Sequence, residues 1–143
     1  MVKLLIINGP NLNQLGKRDP AIYGNETLDQ INQFLQESNP GLDLEFYQSN
    51  HEGAIIDFLQ EKASTCQGIV INPGALTHYS FSLRDAIEVC PVPVIEVHLS
   101  NIYKRESFRH TSITAPESKG IISGFGKYGY QMAIEAFKNN RVG

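Results

Sequence analysis

The chain has 143 residues, 41% of them hydrophobic, with 12 Lys and Arg against 15 Asp and Glu and a formal net charge of -3. This length suits one domain that buries roughly two-thirds of its unfolded surface, and the lack of a Lys/Arg block removes nucleic acid as an expected partner. No apolar run approaches the roughly 18 residues of a membrane span, and the amino terminus enters strand-like sequence without a charged leader, so a cytoplasmic protein acting on a small molecule is expected. Cys66 and Cys90 have no metal or redox spacing and read as buried free thiols.

Lys3 to Asn8 is an apolar run too short for a helix, ended by Gly9-Pro10, and reads as a fully buried first strand. The stretch from Asn8 to Asn25 then carries Asn11, Asn13, Arg18, Asp19 and Tyr23, with four Gly or Pro breaks before Tyr23 and no hydrophobic period. A connection of that length is either a lid or binding loop or an unstructured surface link. Thr27-Leu28-Asp29-Gln30 matches a capping box, and Leu28, Ile31 and Leu35 follow at helical spacing, so a helix is predicted to about Ser38, before Pro40. Leu42 to Tyr47 alternates strictly, the pattern of an edge strand. Ser49-Asn50-His51-Glu52 reads as a second capping box opening a helix with Ile55, Ile56, Leu59 and Ala63 on one side, and His51 as a solvated first-turn residue.

Ile69-Val70-Ile71 is a run of β-branched residues between Gly68 and Pro73-Gly74, which suits a strand covered on both faces. Asn72, Thr77 and His78 stand at its carboxyl end, where ligands bind in open α/β sheets. Leu83, Ala86 and Ile87 mark the buried side of a third helix between Ser80 and Val89. Arg84 and Asp85 fall off that stripe: they are a surface pair, or Asp85 reaches a neighbouring subunit.

Val92 to His98 is a fourth strand, with Pro93 near its start. Glu96 and His98, two apart, share a strand face, where a carboxylate can accept from the imidazole and fix its orientation. That pair is either structural or a general acid/base device. Arg105 and Arg109 stand at i, i+4, so on a helical turn two guanidinium groups would converge on one anion or hydroxyl, or else lie solvated. Gly120 to Ser123 is a fifth strand, and Tyr130, Ala133, Ile134 and Phe137 line a closing helix. The intervening Gly124-Phe125-Gly126-Lys127-Tyr128-Gly129 formally matches G-x-G-x-x-G, but it follows the last strand and not the first, so it reads as a packing turn.

Five β–α repeats with an edge-like second strand predict an α/β, flavodoxin-like, doubly wound parallel sheet in the order 2-1-3-4-5, one domain over residues 1-143. A phosphoacceptor receiver needs acids where Asn8 and Asn72 stand, and Asn8 to Gly16 holds no Ser or Thr for a flavin phosphate. No lysine lies at the ligand end of a site strand, and no cysteine cluster or H-E-x-x-H offers a metal site. A mononucleotide-binding module is the alternative to an enzyme.

Asn8-Gly9-Pro10-Asn11-Leu12, Gly16-Lys17-Arg18-Asp19-Pro20 with Tyr23-Gly24, Asn72 to His78, Leu83-Arg84-Asp85 and Glu96 to Asn101 together resemble the type II 3-dehydroquinate dehydratases over essentially the whole chain. The resemblance implies reversible dehydration of 3-dehydroquinate to 3-dehydroshikimate by anti elimination through an enolate, with no metal, cofactor or Schiff base. It also implies a homododecamer of four trimers serving aromatic biosynthesis or quinate breakdown. By that resemblance Tyr23 is the base; a free tyrosine ionises at about pH 10, so it needs cations such as Arg18 and Arg105 about it. Asn11 would orient a water against the enolate oxygen, and His98, held by Glu96, would protonate the leaving hydroxyl. Asn72, His78 and Arg109 would hold substrate hydroxyls, the backbone near Leu99 and Ser100 the carboxylate, and Asp85 would reach Arg18 and Tyr23 of a neighbour.

Overall fold

In a computed structural model, residues 1–17 and 19–142 are described; Arg18 lies outside them. Along the chain run β1 (Lys3–Asn8), α1 (Pro20–Tyr23), α2 (Leu28–Ser38), β2 (Asp43–Gln48), α3 (Glu52–Lys62), β3 (Gly68–Asn72), α4 (Phe81–Glu88), β4 (Val94–His98), β5 (Gly120–Ser123) and α5 (Tyr128–Lys138). Every strand pairing is parallel and the order is β2-β1-β3-β4-β5, as the sequence predicts. The order reverses between β1 and β3, so the crevice opens beyond Asn8 and Asn72, which are register partners.

Alternate residues of the central strands feed two cores. Leu4, Ile6, Val70 and Val97 pack with Ile31 and Leu35 of α2 and with Ala133 and Ile134 of α5. Leu5, Ile7, Ile69 and Ile71 pack on the other face with Ile55 and Leu59 of α3 and Leu83 and Ile87 of α4. Each such buried aliphatic side chain contributes about 1.5–3 kcal/mol relative to exposure, which is why the unbroken apolar runs, and not alternating ones, became the inner strands. β2 lies at the edge, as its alternation predicts, with Leu44 buried and Asp43 exposed.

The Thr27 capping box forms in full, Thr27 Oγ1 accepting from Gln30 N and Gln30 Oε1 from Thr27 N. The second one does not. Ser49 Oγ accepts from His51 N at 3.0 Å, and Glu52 accepts instead from the hydroxyl of Ser80, which caps α4 by accepting from Leu83 N at 3.0 Å. A long-range partner thus took the carboxylate that a local box would have used. His51 is exposed, as expected. Arg84 pairs with Glu117 at 3.3 Å rather than with its neighbour Asp85.

The described residues of the long first connection hold more regular structure than its composition suggests. Leu12 and Leu15 are buried, Leu12–Gln14 forms a 3-10 turn, and α1 is capped by Asp19, whose side chain accepts from Ala21 N at 3.1 Å. Its base is locked to the exit of β3: Gly9 N donates to the Asn72 carbonyl at 2.8 Å. A side chain at Gly9 would collide with the Pro73 carbonyl, which is the physical reason for glycine there.

Both cysteines are free, Cys66 buried and Cys90 half-buried, and burial pushes the Cys90 thiol up to about 11. The G-x-G-x-x-G turn is a packing device. A Cβ on Gly129 would stand 3.2 Å from Val97 Cγ1 and 3.4 Å from Ile122 Cγ2, so the glycine lets α5 sit close on β4 and β5.

Candidate active site

Beyond the β1 and β3 ends lies a cleft of about 100 Å3 whose walls include Asn11, Tyr23, Asn72, His78, His98 and Arg109. Asn11 comes from the exit of β1, Tyr23 from α1, Asn72 and His78 from the exit of β3, His98 from the end of β4, and Arg109 from the Ser107–His110 turn. Leu99 and Ser100 also line it. Segments distant in sequence therefore converge because the strands end at the same edge of one parallel sheet.

Asn11 adopts a left-handed conformation, φ 69°, which asparagine tolerates better than most residues. Its N–H donates to Asn50 Oδ1 at 2.9 Å, and Gln48 Nε2 donates to the same oxygen at 3.1 Å, so the end of β2 holds it in place. Asn50 is a positioning contact that the sequence did not reveal.

The two cleft histidines are anchored differently. His78 Nδ1 lies 2.8 Å from the Thr111 carbonyl, an acceptor only, so Nδ1 carries the proton and Nε2 is left as an acceptor. Burial holds the His78 imidazole below the usual histidine range, opposed by the Thr111 carbonyl and reinforced by His98 and Arg109. His98 Nε2 lies 2.9 Å from Glu96 Oε2, which realises the strand-face pairing predicted from their spacing. With Nε2 turned to the carboxylate, Nδ1 is the ring nitrogen that can meet a second partner.

Glu96 is wholly buried and has two further partners, Ser112 Oγ at 2.9 Å and the hydroxyl of Thr114. Neither was picked out from sequence, because the segment that carries them is not a strand and i, i+2 spacing has no fixed meaning there. Ile113 N donates to the Thr77 carbonyl at 2.9 Å, fixing this segment to the β3 exit.

Arg105 and Arg109 do not share a helical face. Arg105 is extended between the turns Ile102–Lys104 and Ser107–His110, and Glu106 gathers both guanidiniums, at 3.8 Å and 3.1 Å. The i, i+4 expectation assumed a helix that the chain does not form there. Arg109 enters the cleft, whereas Arg105 lies in an adjacent larger cleft of about 750 Å3 with its guanidinium carbon 5.0 Å from the centre of the Tyr23 ring. Tyr23, Leu99 and Ser100 are common to both clefts, so the phenol forms part of the partition. The carbonyls of Leu99 and Ser100 accept from Gly126 N and Ser123 Oγ, each at 2.9 Å, which holds that turn. Asp85 is exposed on α4 and does not line its own cleft. Among the described residues no cluster of three metal-ligating side chains occurs, and no helix is long and apolar enough to cross a membrane.

Fold and cleft together define an α/β protein of flavodoxin-like topology whose polar site sits at the switch point of the sheet. Residues 2–138 match the family model described as Dehydroquinase class II. A 3-dehydroquinate dehydratase of Roseiflexus castenholzii is 57% identical over 136 residues, 94% of this chain and 87% of that protein. One of Clostridium botulinum is 56% identical, covering 99% of this chain and 98% of the relative. The crystal structure of a type II dehydroquinase from Butyrivibrio crossotus superimposes with a TM-score of 0.93 at 50% identity, over 96% of this chain and 97% of that one. The chain belongs to the class II dehydroquinase family.

Proposed function

We propose that the protein is a hydro-lyase that reversibly dehydrates 3-dehydroquinate to 3-dehydroshikimate. The observation that carries this reading is the family match over residues 2–138 on a chain whose Tyr23 and Glu96-buttressed His98 line one cleft. Loss of water from a β-hydroxy ketone needs a base at the carbon α to the carbonyl, stabilisation of an enolate, and an acid at the leaving oxygen.

In this mechanism Tyr23 takes the α-proton as its phenolate, and the electron pair of the C–H bond moves onto the ketone oxygen as an enolate. Arg105, 5.0 Å from the ring centre, supplies positive charge at the phenolate, and Arg18 of the same segment as Tyr23 adds to it. Asn11 orients a water toward the enolate oxygen. Collapse of the enolate breaks the C–O bond on the opposite face, and His98 gives its proton to the departing hydroxyl, which leaves as water. Proton exchange then returns Tyr23 and His98 to their starting forms. Asn72, His78 and Arg109 hold the ring hydroxyls, and the backbone at Leu99 and Ser100 receives the carboxylate, an arrangement suited to an anion.

The working form in this reading is a homododecamer of trimers in which Asp85 reaches Arg18 and Tyr23 of a neighbour. The large exposed side chains near Asp85 support it: Tyr79 and Phe81 are 61% and 66% exposed, and apolar groups of that size are usually covered in an assembly. Cytoplasmic aromatic biosynthesis or quinate breakdown would use the same reaction.

The test is an absorbance assay with authentic 3-dehydroquinate. The product is a conjugated enone acid, so new ultraviolet absorbance is expected; its absence with folded protein would defeat the reading.

A further inference from the structure

Tyr130 enters the sequence as one more member of the apolar stripe of the closing helix, yet its hydroxyl does not end in an apolar core. The residue is wholly buried, and its ring passes through the core on the α2/α5 face of the sheet to the carboxyl ends of β1 and β3. There the hydroxyl lies 2.5 Å from Asn8 Oδ1, to which it donates, and 3.1 Å from Asn72 Nδ2, from which it accepts.

These bonds have a direction. A tyrosine hydroxyl has one proton and can otherwise only accept. With that proton given to Asn8, only the NH2 edge of Asn72 can face Tyr130. The opposite edge is fixed as well, because Asn72 Oδ1 accepts from Gly74 N at 3.1 Å. The Asn72 amide is thus held at both ends, which determines which edge offers a donor and which an acceptor to the cleft it lines. Burial pushes the ionisation of the Tyr130 hydroxyl upward, so it remains a proton donor throughout the working range.

The closing helix is placed for this contact by the glycine just before Tyr130, within its first turn. Gly129 seats α5 against Val97 and Ile122, closer than a side chain there would permit without displacement. The final glycine of the G-x-G-x-x-G turn thereby brings the neighbouring Tyr130 within reach of the strand ends.

We infer that Tyr130 is a positioning residue of the active site, acting through Asn72 to fix the donor and acceptor pattern presented to a substrate hydroxyl. The inference rests on the substrate-binding role proposed for Asn72. Removing the hydroxyl leaves Asn72 Nδ2 and Asn8 Oδ1 without their shared partner. These two residues are register neighbours on adjacent strands, so the Asn72 amide turns toward Asn8 and away from the substrate.

The test compares Tyr130→Phe, Asn72→Ala and the double variant in steady-state kinetics, together with the crystal structure of Tyr130→Phe. An uncompensated buried hydrogen bond corresponds to about a tenfold effect, so Tyr130→Phe should raise KM about tenfold with a much smaller change in kcat. The double variant should be no worse than Asn72→Ala alone. Asn8→Ala, which removes the acceptor and frees the hydroxyl proton, should raise KM as well and serves if Tyr130→Phe does not fold. An unchanged KM in the folded variant, multiplicative effects in the double variant, or an Asn72 side chain unmoved in the crystal overturns the inference. Absence of turnover in the unsubstituted protein would instead defeat the functional reading, and the crystal structure would still decide the positioning.

Discussion

The imidazole rings of His78 and His98 lie 6.4 Å apart, centre to centre, with planes 23° from parallel. Their anchors differ: a carbonyl holds His78 and a buried carboxylate holds His98. A neutral acceptor suits a ring that stays neutral and binds, whereas a carboxylate suits one that gains and loses a proton.

His78 should therefore titrate below 6.5, the ordinary histidine value, because burial is the largest influence on it. A folded-state pKa below the unfolded one means that the native state favours the neutral ring. Its contribution to stability is complete above the unfolded value and is lost as pH falls through the folded one. Histidine NMR titration reads the shift. KM should be level at neutral pH and rise in acid as Nε2 changes from acceptor to donor, and a KM that falls in acid would contradict the binding role.

Tyr23→Phe should abolish turnover while leaving substrate affinity nearly intact, since only proton removal requires the phenolate. Calorimetric titration with 3-dehydroquinate separates the two effects. Turnover close to that of the unsubstituted protein would remove Tyr23 as the base.

Borohydride added during turnover should leave activity unchanged, because the proposed route forms no imine. Rapid inactivation that depends on substrate would point to a lysine.

Glu96→Gln replaces a group that only accepts by one that must also donate, against two hydroxyls and an imidazole already turned toward it. General acid–base catalysis contributes about 10²–10⁴-fold, and disorienting His98 should remove about 10- to 100-fold of it from kcat with little change in KM. Stopped-flow single turnovers check whether the loss lies in the chemical step.

Gly9→Ala forces a methyl group into the Pro73 carbonyl. Overpacking of this kind costs about 1–3 kcal/mol, so the urea midpoint should fall markedly. An unchanged midpoint would show that the two loops can separate without cost.

The inner strands and the Thr27 cap were legible because their causes are local: β-branched runs bounded by Gly and Pro, and a cap within four residues. The Glu96–His98 pair was legible for the same reason, since strand geometry alone puts i and i+2 on one side. Other features depend on partners far along the chain. Ser80 captures Glu52 from 28 residues away, and Ser112 and Thr114 reach Glu96 from a segment without periodicity. Tyr130 was hidden by its own ring, which satisfies an apolar pattern equally well whether or not the hydroxyl has work at the far end. The Arg105/Arg109 spacing misled because i, i+4 has meaning only inside a helix.

The exits of β1 and β3 are mutually shaped: Gly9 donates to the Asn72 carbonyl and lies against Pro73, while a Cβ on Gly74 would come within 3.0 Å of the Pro10 carbonyl. Neither loop would keep its form beside a foreign partner. An engineer transplanting this cleft onto another sheet of the same winding would have to move residues 8–11 and 72–78 together, as a single cassette.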